Sequence, residues 1–168
     1  YEDFGEDYVT HLRGMFAISL WDEIRQQLFL ARDRFGIKPL YYAAVDEGLF
    51  FASEVRAISS CDVLSLQSDT TAFARFLEHG AISRAGTTFK EIKILPPGSY
   101  LMQNLNKMEI HSYWSLGDML HVKPDEPPPV FDVLKETVES HLVSDVPLGI
   151  LLSGGMDSSS LVALASLG

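Results

Sequence analysis

Short apolar runs separated by polar breaks dominate the first third of the chain. Met15 to Trp21, Leu28 to Ala31, Leu40 to Ala44 and Leu49 to Ala52 are too short for helices and rich in aromatic and aliphatic residues, the pattern of closely spaced strands. Asp22-Glu23-Ile24-Arg25-Gln26 suits a hairpin loop and Arg34-Phe35-Gly36-Ile37-Lys38-Pro39 a longer connection. Asp46-Glu47-Gly48 suits a tight turn in which glycine accepts a positive φ. The four runs are therefore expected to form one antiparallel β-meander. Ser53 stands where it can cap a short helix through Ile58, with Glu54 as a first-turn carboxylate. Thr70 or Thr71 can cap another that runs through Leu77 and stops at Gly80. Pro96-Pro97-Gly98 interrupts regular structure, and Ser99 to Leu105 with Met108 to Trp114 reads as a further strand pair turning at Leu105-Asn106-Lys107. Phe16, Trp21, Tyr41, Tyr42, Phe50 and Phe51 fall within strand patterns and are expected to be core or cross-strand contacts.

The pattern changes after Trp114. From Leu116 to Pro129 glycine, aspartate, lysine and proline exclude regular helix or strand, so a linker is expected there. Val130, Val133, Leu134, Val138 and Leu142 then recur at helical spacing. Val146-Pro147-Leu148-Gly149-Ile150-Leu151-Leu152 has the nearly unbroken apolar character of a strand buried on both faces of a parallel sheet. Ser153-Gly154-Gly155-Met156-Asp157-Ser158-Ser159 follows, and helix resumes from Leu161 to Leu167. Helix, buried strand, glycine turn and helix make the opening of a doubly wound α/β domain. The predicted organisation is thus an antiparallel α+β domain over 1–115, a linker over 116–129, and the first helix-strand-helix of an α/β domain over 130–168. That strand has no neighbour in the sequence to satisfy its backbone groups, so the second part is expected to be incomplete by itself. With Tyr1 at one end and Gly168 soon after the glycine turn at the other, both ends are expected to be cuts in a longer chain.

Bulk properties narrow the function classes. The 168 residues are 46% hydrophobic, enough for a buried core, yet no apolar run approaches the ~20 residues of a membrane-spanning helix, so a soluble protein is expected. A formal charge of -10 disfavours nonspecific nucleic-acid binding, which depends on basic side chains facing phosphates. A single cysteine forms no internal disulfide, in keeping with a reducing cytosol.

The chemistry is concentrated at Ser153 to Ser159. Paired glycines between a buried strand and a helix allow backbone N–H groups to converge, and the helix N-terminus adds partial positive charge, which suits phosphate. Asp157 is the natural magnesium partner, and Ser153, Ser158 and Ser159 supply hydroxyl donors. The plainer reading is a strand-to-helix turn capped by Asp157 or Ser158. No glycine-lysine pair follows, which excludes a Walker-type phosphate loop.

Ser153-Gly154-Gly155-Met156-Asp157-Ser158 resembles the SGGxDS signature of ATP pyrophosphatases. His141-Leu142-Val143-Ser144-Asp145-Val146-Pro147-Leu148-Gly149 before it resembles the asparagine synthetase family. Leu12 to Ala17, Ala31 to Tyr42, Phe51-Ala52-Ser53-Glu54 and Leu95-Pro96-Pro97-Gly98 are similar to that family's class II amidotransferase domain, an N-terminal-nucleophile fold. The resemblance implies glutamine hydrolysis at an N-terminal cysteine, ATP-dependent activation of aspartate as β-aspartyl-AMP, and attack by ammonia to give asparagine. It implies ATP and Mg2+ held by the Leu152 backbone, Ser153, Gly154, Gly155, Asp157 and Ser158, with Asp157 on the metal. The partners it implies are the small molecules aspartate, glutamine and ATP and a second subunit, in the cytoplasm. Two alternatives stay open: a relative that amidates another carboxylate or closes a β-lactam, and a non-catalytic nucleotide-binding module of the same fold.

Other reactive residues are read conservatively. Cys61 is internal and beside Asp62, which would raise rather than lower a thiol pKa, so it is not the nucleophile. Arg32-Asp33-Arg34 is read as an arginine-carboxylate network pinning a strand connection rather than as part of an ammonia route. His11, His79, His111, His121 and His141 have no metal-ligand spacing.

Overall fold

Leu28 to Ala31 is apolar at every position, and that decides how the first part of the chain is layered. In the computed structural model, which describes residues 1–46, 48–82, 86–105, 107–120 and 126–167, Phe29, Leu30 and Ala31 are all buried although successive side chains point to opposite faces. A strand apolar on both faces needs a layer on each side. The chain divides into two units, Tyr1–His121 and Val122–Gly168, and the first supplies both layers.

In this unit a 3-10 turn (Gly5–Asp7) leads into α1 (Tyr8–His11), β1 (Ala17–Asp22), β2 (Gln27–Arg32), β3 (Tyr41–Val45), β4 (Gly48–Ala52), α2 (Val55–Ser59), α3 (Thr70–His79), β5 (Lys93–Ile94), β6 (Ser99–Gln103), β7 (Met108–Ser112) and α4 (Leu116–Met119). The strands form two antiparallel sheets, ordered β1-β2-β6-β7 and β4-β3-β5. The single meander expected from the sequence is therefore not formed. Its two hairpins exist, with Ala17 opposite Arg32 and Tyr41 opposite Ala52, but β2 gives its second edge to β6, Leu30 opposite Leu101. Residues 33–40 carry the chain to the other sheet.

Leu30 and Leu101 from one sheet, Tyr42 from the other, and Leu40 and Leu95 beside it make the core that joins the sheets. On the far face of the first sheet, Phe29 and Ala31 pack with Val9 and Tyr8 of α1. On the far face of the second, Ala43 and Ile92 pack with Ile58 of α2. The layering is helix, sheet, sheet, helix, an α+β arrangement consistent with an N-terminal-nucleophile amidotransferase domain.

Several local expectations are corrected. Helix α2 starts at Val55, so Glu54 occupies the cap position without a capping bond and Ser53 lies one residue too early to cap. Helix α3 is capped by neither Thr70 nor Thr71: the Asp69 carboxylate accepts from Thr71 and Ala72 N–H at 2.9 and 3.2 Å. Gly80, at φ 70°, ends it as expected. The linker is not free of helix, because Ser115 caps α4 through Asp118 N–H and bonds the Asp118 carboxylate, ahead of the prolines. Trp21 and Phe51 are exposed, whereas Phe16, Tyr41, Tyr42 and Phe50 pack in the clusters. Glu47 and Asn106 of the expected turns, and residues 121–125 of the linker, lie outside the described residues.

The second unit has α5 (Val130–His141) where periodicity places it, and α6 (Met156–Ala165). They pack together, burying Val138 and Leu164. Residues 146–152 form no strand and are not buried, with Leu151 96% exposed. The apolar pattern is that of an interior strand, but among the described residues of this unit no second strand accepts its N–H and C=O groups. Helix α6 also begins five residues before the expected Leu161, directly after the second glycine of the turn.

Candidate functional site

The turn between residues 152 and 156 is shaped by its glycines and two serines. Gly154 sits at φ 80°, a left-handed conformation that costs glycine nothing, and Gly155 is the residue preceding α6. The Ser158 hydroxyl donates to the Gly155 carbonyl at 3.2 Å and accepts from Ser153 N–H at 3.3 Å, while the two serine hydroxyls lie 3.0 Å apart. These bonds fold the loop back over the first turn of the helix. The reading in which Asp157 or Ser158 caps α6 is not what forms: no side chain caps this helix. Asp157 projects from the first turn, exposed, where its charge complements the helix dipole.

Ser153, Gly154, Gly155, Asp157 and Ser158 are thus gathered in one turn beside Leu152, with hydroxyls, an uncapped helix N-terminus and one carboxylate. That donor set suits an oxyanion with a hard cation beside it. Among the described residues no group of three or more His, Cys, Asp or Glu could hold a metal ion, so a cation here would draw most of its ligands from phosphate and water.

The second constellation lies in the first unit. Asp33, 1% exposed, accepts four backbone N–H groups: Phe16 at 3.3 Å, Phe35 at 3.1 Å, Ile37 at 3.0 Å and Lys38 at 2.9 Å. Burial alone would raise its pKa, but the N–H groups of Lys38, Ile37, Phe16 and Phe35 outweigh burial and hold it below the usual carboxylate range. Arg32 donates to the carbonyls of Lys38, Leu95 and Gly36 at 2.8, 2.8 and 2.6 Å. Arg34 donates to those of Leu12 and Thr10 at 2.6 and 2.9 Å. The triplet does pin the strand connection, but the expected arginine-carboxylate pairing is corrected, since its hydrogen bonds run to the main chain.

Sequence reasoning missed two members of this node. Tyr113 donates its hydroxyl to the Arg32 carbonyl at 2.8 Å, and burial pushes its pKa up to about 12. Gly98, at φ 61°, donates to the Asp33 carbonyl at 2.9 Å, and a Cβ there would meet the Trp114 carbonyl oxygen at 2.3 Å. The Pro-Pro-Gly run was the available signal for Gly98; nothing local marks Tyr113.

The remaining candidates stay apart. The Cys61 thiol lies 3.6 Å from the Ala57 carbonyl. His11 packs at a tilt against Phe4, His79 neighbours Glu78, His111 stacks on Tyr100 and His141 bonds the Thr137 carbonyl. His121 lies outside the described residues.

Asp22 forms a smaller carboxylate hub at the β1–β2 turn. Arg25 lowers its pKa to about 2, first through its backbone N–H and then through its guanidinium; Tyr1 adds a hydroxyl bond at 2.9 Å. Both Asp22 and Asp33 are therefore more acidic folded than unfolded. Their stabilisation is complete above the unfolded aspartate pKa of ~3.9 and lost as pH falls through the folded value. Thermal unfolding followed from pH 7 to pH 2 is expected to be flat above about pH 5 and to decline steeply below about pH 4. Asp22→Asn is expected to flatten part of that decline; an unchanged profile would remove Asp22 as a source.

A sequence model of the glutamine amidotransferase domain matches residues 1–114, and one of asparagine synthase matches residues 130–167. The chain is 36% identical over 169 residues to an asparagine synthetase [glutamine-hydrolyzing] 3 of Bacillus subtilis, covering 99% of this chain and 28% of that protein. It is 35% identical over 181 residues to asparagine synthetase [glutamine-hydrolyzing] 2 of the same organism, covering 99% and 24%. It is 37% identical over 174 residues to amidase chry2 of Gibberella zeae, covering 99% and 25%. The chain spans about a quarter of the length of these curated relatives.

Proposed function

We propose, from the premise that this chain belongs to the glutamine-hydrolysing asparagine synthetase family, that its protein uses ATP and glutamine to convert aspartate to asparagine. The observation that carries this reading is the Ser153–Ser158 turn: two linked hydroxyls, a left-handed glycine and an uncapped helix N-terminus with a carboxylate on its first turn. In it the Leu152 backbone, Ser153, Gly154, Gly155 and Ser158 surround the phosphates of ATP, while Asp157 holds Mg2+. ATP supplies activation of the acceptor carboxylate as β-aspartyl-AMP with release of pyrophosphate, and ammonia from glutamine then displaces AMP. No residue of this chain is assigned as the glutaminase nucleophile. We place the reaction in the cytoplasm; among the described residues no helix is long and apolar enough to cross a membrane.

The likeness to a protein named an amidase favours a second reading, an enzyme of the same scaffold acting on another carboxylate. The test is on the full-length protein with Mg2+, ATP, glutamine and a panel of carboxylic acids, following pyrophosphate and amide together. Asparagine and pyrophosphate formed in equal amounts with aspartate support the first reading. Pyrophosphate with a different acid only moves the assignment to the second, and no ATP turnover with any acceptor leaves a nucleotide-binding module.

A further inference from the structure

The hydrogen bonds of the Ser153–Ser158 turn can run in only one direction. Ser158 Oγ lies 3.2 Å from the Gly155 carbonyl oxygen, 3.3 Å from the Ser153 nitrogen and 3.0 Å from Ser153 Oγ. A carbonyl only accepts, so the single Ser158 proton goes to Gly155. A backbone N–H only donates, so Ser153 N–H takes a lone pair of Ser158 Oγ. With its proton committed, Ser158 is also the acceptor in the pair of hydroxyls, and the Ser153 O–H donates to it. Both donors of Ser153 thus converge on one oxygen. An N–H and an O–H aimed at the same oxygen is the arrangement that a phosphate oxygen accepts best.

We propose that Ser158 Oγ is an internal stand-in for a phosphate oxygen: it holds both donors of Ser153 between turnovers and yields them when nucleotide binds. This deepens, and rests on, the reading of the turn as the seat of the ATP phosphates, which the asparagine synthase match over residues 130–167 supports apart from the geometry. The stand-in has two effects. It keeps Ser153 aimed and the left-handed Gly154 in place before any phosphate arrives, so less ordering is left for binding to do. It also sets a competitor inside the loop, so the same oxygen that must be displaced on entry retakes the donors as pyrophosphate leaves. Ser158 is therefore a positioning residue that acts on the phosphate through Ser153, in addition to lying beside the phosphates itself.

The test is a double-mutant cycle on the full-length protein, with the dissociation constant of pyrophosphate and Mg2+ measured by calorimetry for wild type, Ser153→Ala, Ser158→Ala and the double variant. In wild type, Ser153→Ala loses a bond to phosphate but also a bond to Ser158 that binding would have had to break, and the two offset. In the Ser158→Ala background nothing offsets the loss, so Ser153→Ala is expected to weaken binding about five- to tenfold more there than in wild type. Hydroxyls that act on phosphate independently give equal costs, and hydroxyls that reinforce one another on it give a smaller cost in the Ser158→Ala background. Either result overturns the proposal. Hydrogen exchange resolved to single amides is the second readout. Without nucleotide, Ser153 N–H is expected to exchange about tenfold faster in Ser158→Ala than in wild type or Ser158→Thr, which keeps the hydroxyl. With saturating pyrophosphate and Mg2+ the three proteins are expected to agree. Unchanged exchange in Ser158→Ala overturns the stand-in and leaves the ATP reading standing. A wild type that binds neither ATP nor pyrophosphate overturns the ATP reading and the stand-in with it. Should Ser158→Ala fail to fold by circular dichroism, Ser158→Cys, whose sulfur is a weak acceptor, takes its place in both measurements.

Discussion

Asp33→Asn is expected to cost about 3–4 kcal/mol of unfolding free energy, among the largest single losses available in the first unit. Four backbone N–H groups converge on this carboxylate from Phe16, Phe35, Ile37 and Lys38. An asparagine keeps one acceptor oxygen and turns an NH2 group toward donors on the other side. Those donors cannot move to water without opening the connection that Arg32 also clamps through Leu95 and Gly36. Urea unfolding followed by the fluorescence of Trp21 and Trp114, both in this unit, measures the loss. Wild type and variant should converge as pH falls through the lowered native pKa of Asp33, where the native carboxylate is itself being protonated. A cost under about 1 kcal/mol would mean that Asp33 is not the organiser of this loop.

Asp157→Ala in the full-length protein is expected to reduce ATP-dependent pyrophosphate release by about a hundredfold or more while hardly changing stability. The side chain is exposed on the first turn of α6 and caps nothing, so structure loses only a favourable dipole contact of a few tenths of a kcal/mol. If Asp157 holds the cation, Asp157→Asn is expected to lose nearly as much activity, because charge as well as oxygen geometry is needed. Full activity in either variant would separate this turn from ATP chemistry and leave it a simple entry into the helix.

What the sequence revealed and what it hid divide by range. The β1–β2 and β3–β4 hairpins, α5 and the glycine turn are local patterns, and each is legible within a dozen residues. The partition into two sheets is not local, because the partner of β2 is β6, more than sixty residues on. One sign of it was present: Leu28 to Ala31 is apolar on both faces, and a strand in a single sheet with one solvated face has no use for that. The two-residue β5 is too short to carry any periodicity. Residues 146–152 show the opposite failure, since their composition is that of a strand but pairing is a property of neighbours. At the candidate site, Ser153 to Ser158 stood out because glycine and hydroxyl spacing is itself the signal. The acceptors of Arg32 and Arg34 are main-chain carbonyls, which leave no trace in residue identity.

The bond from Tyr113 to the Arg32 carbonyl spans 81 residues, and it has a consequence for the order of synthesis. At roughly 5–20 residues per second, a ribosome needs about 4–16 s after making Arg32 before Tyr113 exists. Through that interval the hairpin of β1 and β2 lacks both β6 and the residues that seal its far end. Strand β2, apolar on both faces, then has an open edge and uncovered apolar surface of the kind chaperones shield.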